Sequence, residues 1–352
     1  MVIDRSDVDD VAAYRSSGAA SSVVERVNLD RGPIGGLAVT ADGRRLLATN
    51  YGDDTVSIID AASCTVVGTV FGADEPYSIA AGVAGSGWAY VTAGSTALDA
   101  VLAIDIDTAH IAGCYPVAMD IGDLVADPTS SRVYITRTGS SGVDVVALDA
   151  AMSPTDSVGI CQVAGATAAG LRISADGQRL YATVRQPAGD VITVLDRALN
   201  VLDTITVGAT VVDIAVSSNG ARLYVATCSS EGRATLHIVD GGSHALITAR
   251  GVDAQLIQLI ASRDGERVFL ITAVGVLVMC ARSHEIFGRL TTAKAPSCAV
   301  ESPDGSRLYI ADFDGAVTIA SLAGLPTPSS ALHDQLALDN AVSRLLLLEP
   351  AV

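Results

Sequence analysis

One short phrase keeps returning along the chain, and it constrains the fold more than any other feature. It reads Asp42-Gly-Arg-Arg-Leu-Leu47, Asp176-Gly-Gln-Arg-Leu-Tyr181, Asn219-Gly-Ala-Arg-Leu-Tyr224, Asp264-Gly-Glu-Arg-Val-Phe269 and Asp304-Gly-Ser-Arg-Leu-Tyr309, with weaker copies at Ser130-Ser-Arg-Val-Tyr134 and Gly87-Trp-Ala-Tyr90. An Asp-Gly or Asn-Gly pair between alternating apolar runs specifies a tight hairpin, because such a turn needs positive φ, which Gly and Asn adopt at low cost. Each copy therefore predicts a pair of antiparallel strands, the first exemplified by Gly36–Thr40 and the second by Arg45–Thr49.

The residues after each pair repeat as well. A polar loop leads to a β-rich run ending in Asp, as in Thr55–Asp60, Val101–Asp105, Asp144–Asp149, Ile192–Asp196 and Leu236–Asp240. A second turn then leads to a fourth run, such as Thr65–Phe71 or Val201–Val207. Four strands in roughly 43 residues, repeated around the chain, are the signature of a propeller blade. The seventh unit lacks its fourth strand, because Leu325-Pro-Thr-Pro-Ser-Ser330 cannot continue a sheet, while Ser22–Leu29 has fourth-strand character and no unit of its own. The fold expected is all-β: a seven-bladed β-propeller over residues 22–323, its last blade completed by the N-terminal strand so that no edge is left open between the chain's ends.

Two segments fall outside that ring. Residues 1–21 are small, polar and acidic and are expected to be disordered. Residues 324–352 read as a linker followed by a short amphipathic helix, with Leu332, Leu336, Val342, Leu345 and Leu346 at near-helical spacing after Pro326 and Pro328. That stripe is a candidate contact for a protein partner.

Leu46-Leu-Ala-Thr-Asn50-Tyr-Gly-Asp-Asp-Thr-Val-Ser-Ile-Ile-Asp60, with Tyr90-Val-Thr92 and Tyr224-Val-Ala-Thr227, resembles the YVTN-repeat family of seven-bladed propellers. The resemblance implies the fold over residues 22–323 and leaves several roles open. Similar propellers occur in surface-layer proteins, periplasmic binding proteins, amine dehydrogenase subunits and lactonase-like enzymes, so fold alone does not choose among them. It also implies that ligands or partners meet the end of the ring where the fourth-to-first and second-to-third strand connections gather around the channel mouth.

Composition narrows the partners. With 22 basic and 39 acidic side chains the formal net charge is −17, and Lys294 is the only lysine. Phosphate backbones are bound by clustered cations, so nucleic acid is not an expected partner. Charged residues or Gly interrupt the apolar runs before the ~18 residues a spanning helix needs, so no membrane span is expected. Met1–Asp10 carries acids where a secretory signal would carry cations and then an apolar stretch, which predicts a cytoplasmic protein. The six cysteines stand singly without a CxxC pair and are expected to be small buried residues.

No GxSxG elbow, Walker loop or HExxH is present, so the expectation is no cofactor, no metal and no assigned catalytic residue. His110, His244 and His284 fall at third-to-fourth strand turns, His237 inside a third strand and His333 in the tail. Asp312-Phe-Asp-Gly315 begins like a calcium loop but lacks the later ligands, so it reads as a hairpin turn. Aligning the units by their turns brings Gly36, Ser78, Asp123, Gly170, Asp213, Gln258 and Cys298 to the same step near the start of each inner strand, where they should form a ring. Asp123 and Asp213, two blades apart, have the chemistry to share a cation or to divide acid and base roles. On the same face, Arg137, Arg185 and Arg233 lie in second-to-third strand loops, where recognition residues often sit. The function expected is a non-catalytic protein-interaction scaffold. The alternatives are a lactonase-like or other small-ligand enzyme with its site at the channel mouth, and an accessory subunit of a redox complex.

Overall fold

Each strong copy of the phrase folds into the turn it predicts. Gly43, Gly177, Gly220, Gly265 and Gly305 hold φ of 71°, 68°, 68°, 72° and 68°, a region that L side chains avoid. A hydroxyl two residues before the Asp or Asn completes the turn. Ser174 Oγ donates to Asp176 at 2.6 Å and accepts the Arg179 N–H at 2.9 Å, and Thr40, Ser217, Ser262 and Ser302 do the same in their units. At Asp304, the bonds from Ser302 and Ser306 hold the carboxyl down to about 2.

The computed structural model describes residues 23–325, apart from 95–97, 119, 140–141, 151–156, 293 and 324. The expected disordered segment 1–21 and the helix carrying Leu332, Leu336, Val342, Leu345 and Leu346 lie outside the described residues. Among the described residues there are seven four-stranded antiparallel sheets. The blades run 34–71, 79–118, 121–163, 167–206, 210–252, 256–290 and 296–321, the last completed by Val23–Asn28. Blade 7 closes as expected: Val27 pairs with Val317 and Asn28 with Ala316, and Arg26 reaches Asp312 at 2.9 Å. No helix among the described residues is long and apolar enough to cross a membrane.

The hydrophobic core is divided into seven clusters, one between each pair of neighbouring blades. The aromatic residue two places after the repeated Arg supplies the bulk, and Tyr134, Tyr181, Tyr224, Phe269 and Tyr309 are all fully buried. Burying a large apolar side chain is worth about 1.5 to 3 kcal/mol, so these residues bind each blade to its neighbour. The Arg itself clasps the next blade. Arg132, Arg179, Arg267 and Arg307 donate to the carbonyls of Arg197, Gly241, Leu322 and Ala61, each just past a third strand of the following blade. In blades 1 and 5 the Arg turns instead to its own third strand, Arg45 to Asp60 and Arg222 to Asp240. The repeated phrase thus shapes a local turn and fastens adjacent units.

The cysteines depart from expectation in part. Cys64, Cys280 and Cys298 are buried, whereas Cys161 and Cys228 are half-buried and Cys114 is exposed, and all six are free thiols. Cys114 sits in the outer strand of its blade, His110–Ala118, whose far edge pairs with no further strand.

Candidate functional site

The inner strands are irregular where the ring residues lie. In blades 1, 3, 4, 5, 6 and 7 the pairing between inner and second strand slips by one residue, at Ile34/Leu37, Ile121/Asp123, Ala168/Gly170, Val211/Asp213, Leu256/Gln258 and Pro296/Cys298. A bulge sets two residues against one and re-aims the side chain that follows. Here the repeated bulge brings the aligned residues to the axis, where they line a cavity of about 420 Å³ that includes Ser78, Asp123, Asp213, Gln258 and Cys298. The ring expected from the sequence is present.

Its members are engaged with the neighbouring blade. Asp123 Oδ2 accepts the Leu171 N–H at 3.0 Å, Asp213 Oδ2 that of Leu259 at 2.8 Å and Gln258 Oε1 that of Ala299 at 2.7 Å. In each case the donor is one residue past the ring position of the next blade. Ser78 Oγ donates to Asp123 Oδ1 at 2.6 Å. At Gly36 a side chain would not fit, since a Cβ there would lie 2.5 Å from the Tyr77 carbonyl oxygen.

Between the two carboxylates lies a residue the sequence reading passed over. Arg172 Nη1 meets Asp123 Oδ2 at 2.8 Å and Arg172 Nη2 meets Asp213 Oδ1 at 2.5 Å, while Nε donates to the Ile214 carbonyl at 3.2 Å. Burial works against the guanidinium's charge, but Asp213 and then Asp123 outweigh it and raise its pKa, so it stays charged. The cation that the two carboxylates share is this side chain. A signal for it exists in the repeat: the place two residues past the ring position holds Ala38, Ala80, Val125, Ala215, Ile260 and Val300 in the other units, and Arg172 is the charged exception. Strand period places it on the same face as the ring.

Of the three arginines expected in second-to-third strand loops only Arg233 lies in one; Arg137 stands inside the second strand Arg132–Gly139 and Arg185 ends the second strand Arg179–Arg185, because both strands run further than the turn pattern suggested, and both side chains are tied down. Arg137 pairs with Asp144 at 3.0 Å and donates to the Val117 carbonyl, and Arg185 pairs with Asp190 at 2.9 Å. Arg233 is largely exposed beside Glu231. His244 and His284 hold the left-handed turn positions of their blades at φ 54° and 60°, as Cys64, Ala109 and Leu199 do in theirs. His244 pairs with Asp203 at 2.5 Å. His237 is buried, which lowers its pKa, and bonds Thr227. Asp312–Gly315 is a turn, with Asp312 Oδ1 accepting the N–H groups of Asp314 and Ala316. Among the described residues no group of His, Cys, Asp and Glu is placed to hold a metal.

The sequence reading also missed the aromatic side chains around the mouth. Among the described residues the exposed aromatics are Tyr51, Phe71, Tyr77 and Phe313, at 43%, 67%, 58% and 55% exposure. Tyr51 and Phe313 follow second strands, Phe71 ends an outer strand and Tyr77 lies in the connection to the next inner strand. All four therefore belong to the face on which the channel mouth opens.

No family model matches the chain. Among curated proteins it is similar to the seven-bladed beta-propeller protein Rv1057 of Mycobacterium tuberculosis, 33% identical over 350 residues, covering 89% of this chain and 88% of that protein. Among solved structures it is similar to Kuenenia stuttgartiensis hydrazine synthase, with a TM-score of 0.74 at 17% identity, covering 88% of this chain and 100% of that one. The second likeness is one of fold.

Proposed function

The chain belongs to the family of seven-bladed β-propeller proteins that includes Rv1057, and from that premise we propose that it is a non-catalytic scaffold whose loop face binds a protein partner. The observation that carries the proposal is the gathering of Tyr51, Phe71, Tyr77 and Phe313 on the channel-mouth face, while the aromatics of the repeated phrase are buried between blades. Exposed aromatic groups on rigid loops are typical anchors of protein interfaces. Arg233 and the rim of Ser78, Asp123, Asp213 and Gln258 border the same face.

The competing readings ask more of the mouth than its residues offer. A small-ligand enzyme of lactonase type needs a free acid or base there, yet Asp123 is committed to Ser78, Leu171 and Arg172, and Asp213 to Leu259 and Arg172. An accessory role in a redox complex draws on fold likeness alone. Affinity purification from the native host, followed by hydrogen exchange on the reconstituted complex, tests the scaffold reading. Protection is expected at residues 51–54, 72–78 and 313–315. Recovery of no partner, or protection confined to the opposite face, would overturn it.

A further inference from the structure

We propose that the aromatic arc over blades 7, 1 and 2 is a docking surface for an arginine-bearing segment of a partner protein, an inference that rests on the scaffold reading and names the chemistry of its partner. The arc spans adjoining units. Phe313 and Tyr51 occupy the same repeat position, six residues after Arg307 and Arg45, in adjoining blades. The connector between them is packed tightly, with a Cβ at Gly315 falling 2.5 Å from the Gly32 carbonyl oxygen. Tyr51 Oη meets Glu75 Oε2 at 3.5 Å, and the Tyr77 ring lies against Gly35.

The molecule already shows how this surface holds a guanidinium. Arg31 lies with Cζ 5.7 Å from the centre of the Phe71 ring while its Nη1 pairs with Asp53 at 2.6 Å. A ring face and a carboxylate together satisfy both the flat cation and its N–H fork. Tyr51 and Tyr77 are exposed rings on the same face, and Glu75, whose Oε2 meets the Tyr51 hydroxyl at 3.5 Å, supplies an exposed carboxylate beside one of them. Glu75 adopts φ 41°, an uncommon conformation for a non-glycine residue, and the Glu75 N–H donates to Asp54 Oδ1 at 2.8 Å. Unfavourable backbone geometry held by a specific bond on a binding loop is the kind of feature that function retains.

Charge complementarity selects the occupant. Asp30, Asp54, Asp74 and Glu75 are exposed around the arc, and none of them has an ion pair among the described residues. The arc's own cations, Arg26, Arg31 and Lys294, are already paired with Asp312, Asp53 and Asp314. An acidic or neutral apolar partner would leave those carboxylates facing it uncompensated, whereas an arginine satisfies ring and carboxylate together.

The test uses the full chain with fluorescein-labelled hexa-arginine and hexa-lysine peptides, followed by anisotropy. Hexa-arginine is expected to bind several-fold more tightly than hexa-lysine. The Tyr51→Ala, Tyr77→Ala double variant, whose net charge is unchanged, should weaken hexa-arginine at least tenfold, and Glu75→Gln should weaken it further than Asp107→Asn, which removes the same charge from a turn on the opposite face. Circular dichroism confirms that each variant is folded. No hexa-arginine binding, equal affinity for both peptides, or equal binding by the double variant and the parent would overturn the inference, the last meaning that only the overall negative charge is being read. A native partner that the double variant still recovers would sink this inference and leave the scaffold reading standing.

Discussion

Glu301 offers the sharpest test of how the ring is held together. It ends the inner strand of blade 7, three residues past Cys298, where the other units carry Val39, Ala81, Ala126, Ile173, Val216 and Ala261. It is only 5% exposed, and its Oε2 accepts the Arg263 N–H of blade 6 at 2.8 Å. Burial pushes its carboxyl from 4.5 up to about 6; the Arg263 N–H, Arg263 and Arg267 pull it back, and Asp264 adds to the rise. An acid whose folded pKa lies above its unfolded one contributes its full share of stability below pH 4.5 and loses it as pH rises through about 6. At 1.36 kcal/mol per unit, the charged form costs the folded state about 2 kcal/mol at pH 8 and under about 1 kcal/mol at pH 5. Glu301→Gln keeps an oxygen for the Arg263 N–H and removes the charge. It is expected to raise the pH 8 melting temperature by roughly 3 °C for a domain of this size, with less than half that gain at pH 5. Thermal unfolding followed by circular dichroism at the two pH values measures this. An equal gain at both, or a loss at pH 8, would refute the reasoning, since neither follows from a buried charge.

Two further outcomes follow from the same contacts. Arg172→Met should leave the half-buried Asp123 and the buried Asp213 without their cation and lower stability by about 3 kcal/mol at most in urea unfolding, the low end for a buried pair because Arg172 is partly exposed, with Asp213→Asn added to it restoring part of the loss; an unchanged midpoint would show that the triad is not structural. Deleting residues 1–28 should expose the edge of Ala316–Ser321 and remove the buried Val27, so light scattering should detect aggregation, whereas a monomer with unaltered melting would refute closure by the N-terminal strand.

What the sequence made legible is what is encoded locally or repeated. The Asp-Gly turns located the second strands because turn chemistry depends on a few adjacent residues, and the unmatched strand count located the closure. The ring of Ser78, Asp123, Asp213 and Gln258 was legible because equal steps in equal units must converge on an axis. The partners of those residues were not, because they lie one blade away. Asp123 bonds Leu171 and Arg172, Asp213 bonds Leu259, and Gln258 bonds Ala299, each across roughly one repeat length.

The same physics explains why residue type alone did not separate core from surface. Tyr309 and Phe313 are both aromatic, both in blade 7 and four residues apart, yet one is buried and the other exposed. Tyr309 stands two places after the repeated Arg307, inside a strand packed against a neighbouring blade, while Phe313 stands six places after it, beyond the strand's end. Position relative to the turn decides the outcome, so a residue that breaks its column is the informative one. Arg172 among small and apolar residues and Glu301 among Val, Ala and Ile are such breaks, and each bonds an adjacent blade: Arg172 the Ile214 carbonyl and Asp213 ahead, Glu301 the Arg263 N–H behind. In a closed ring of units, a charged exception in one column therefore directs attention to the neighbouring unit for the group that makes its burial tolerable.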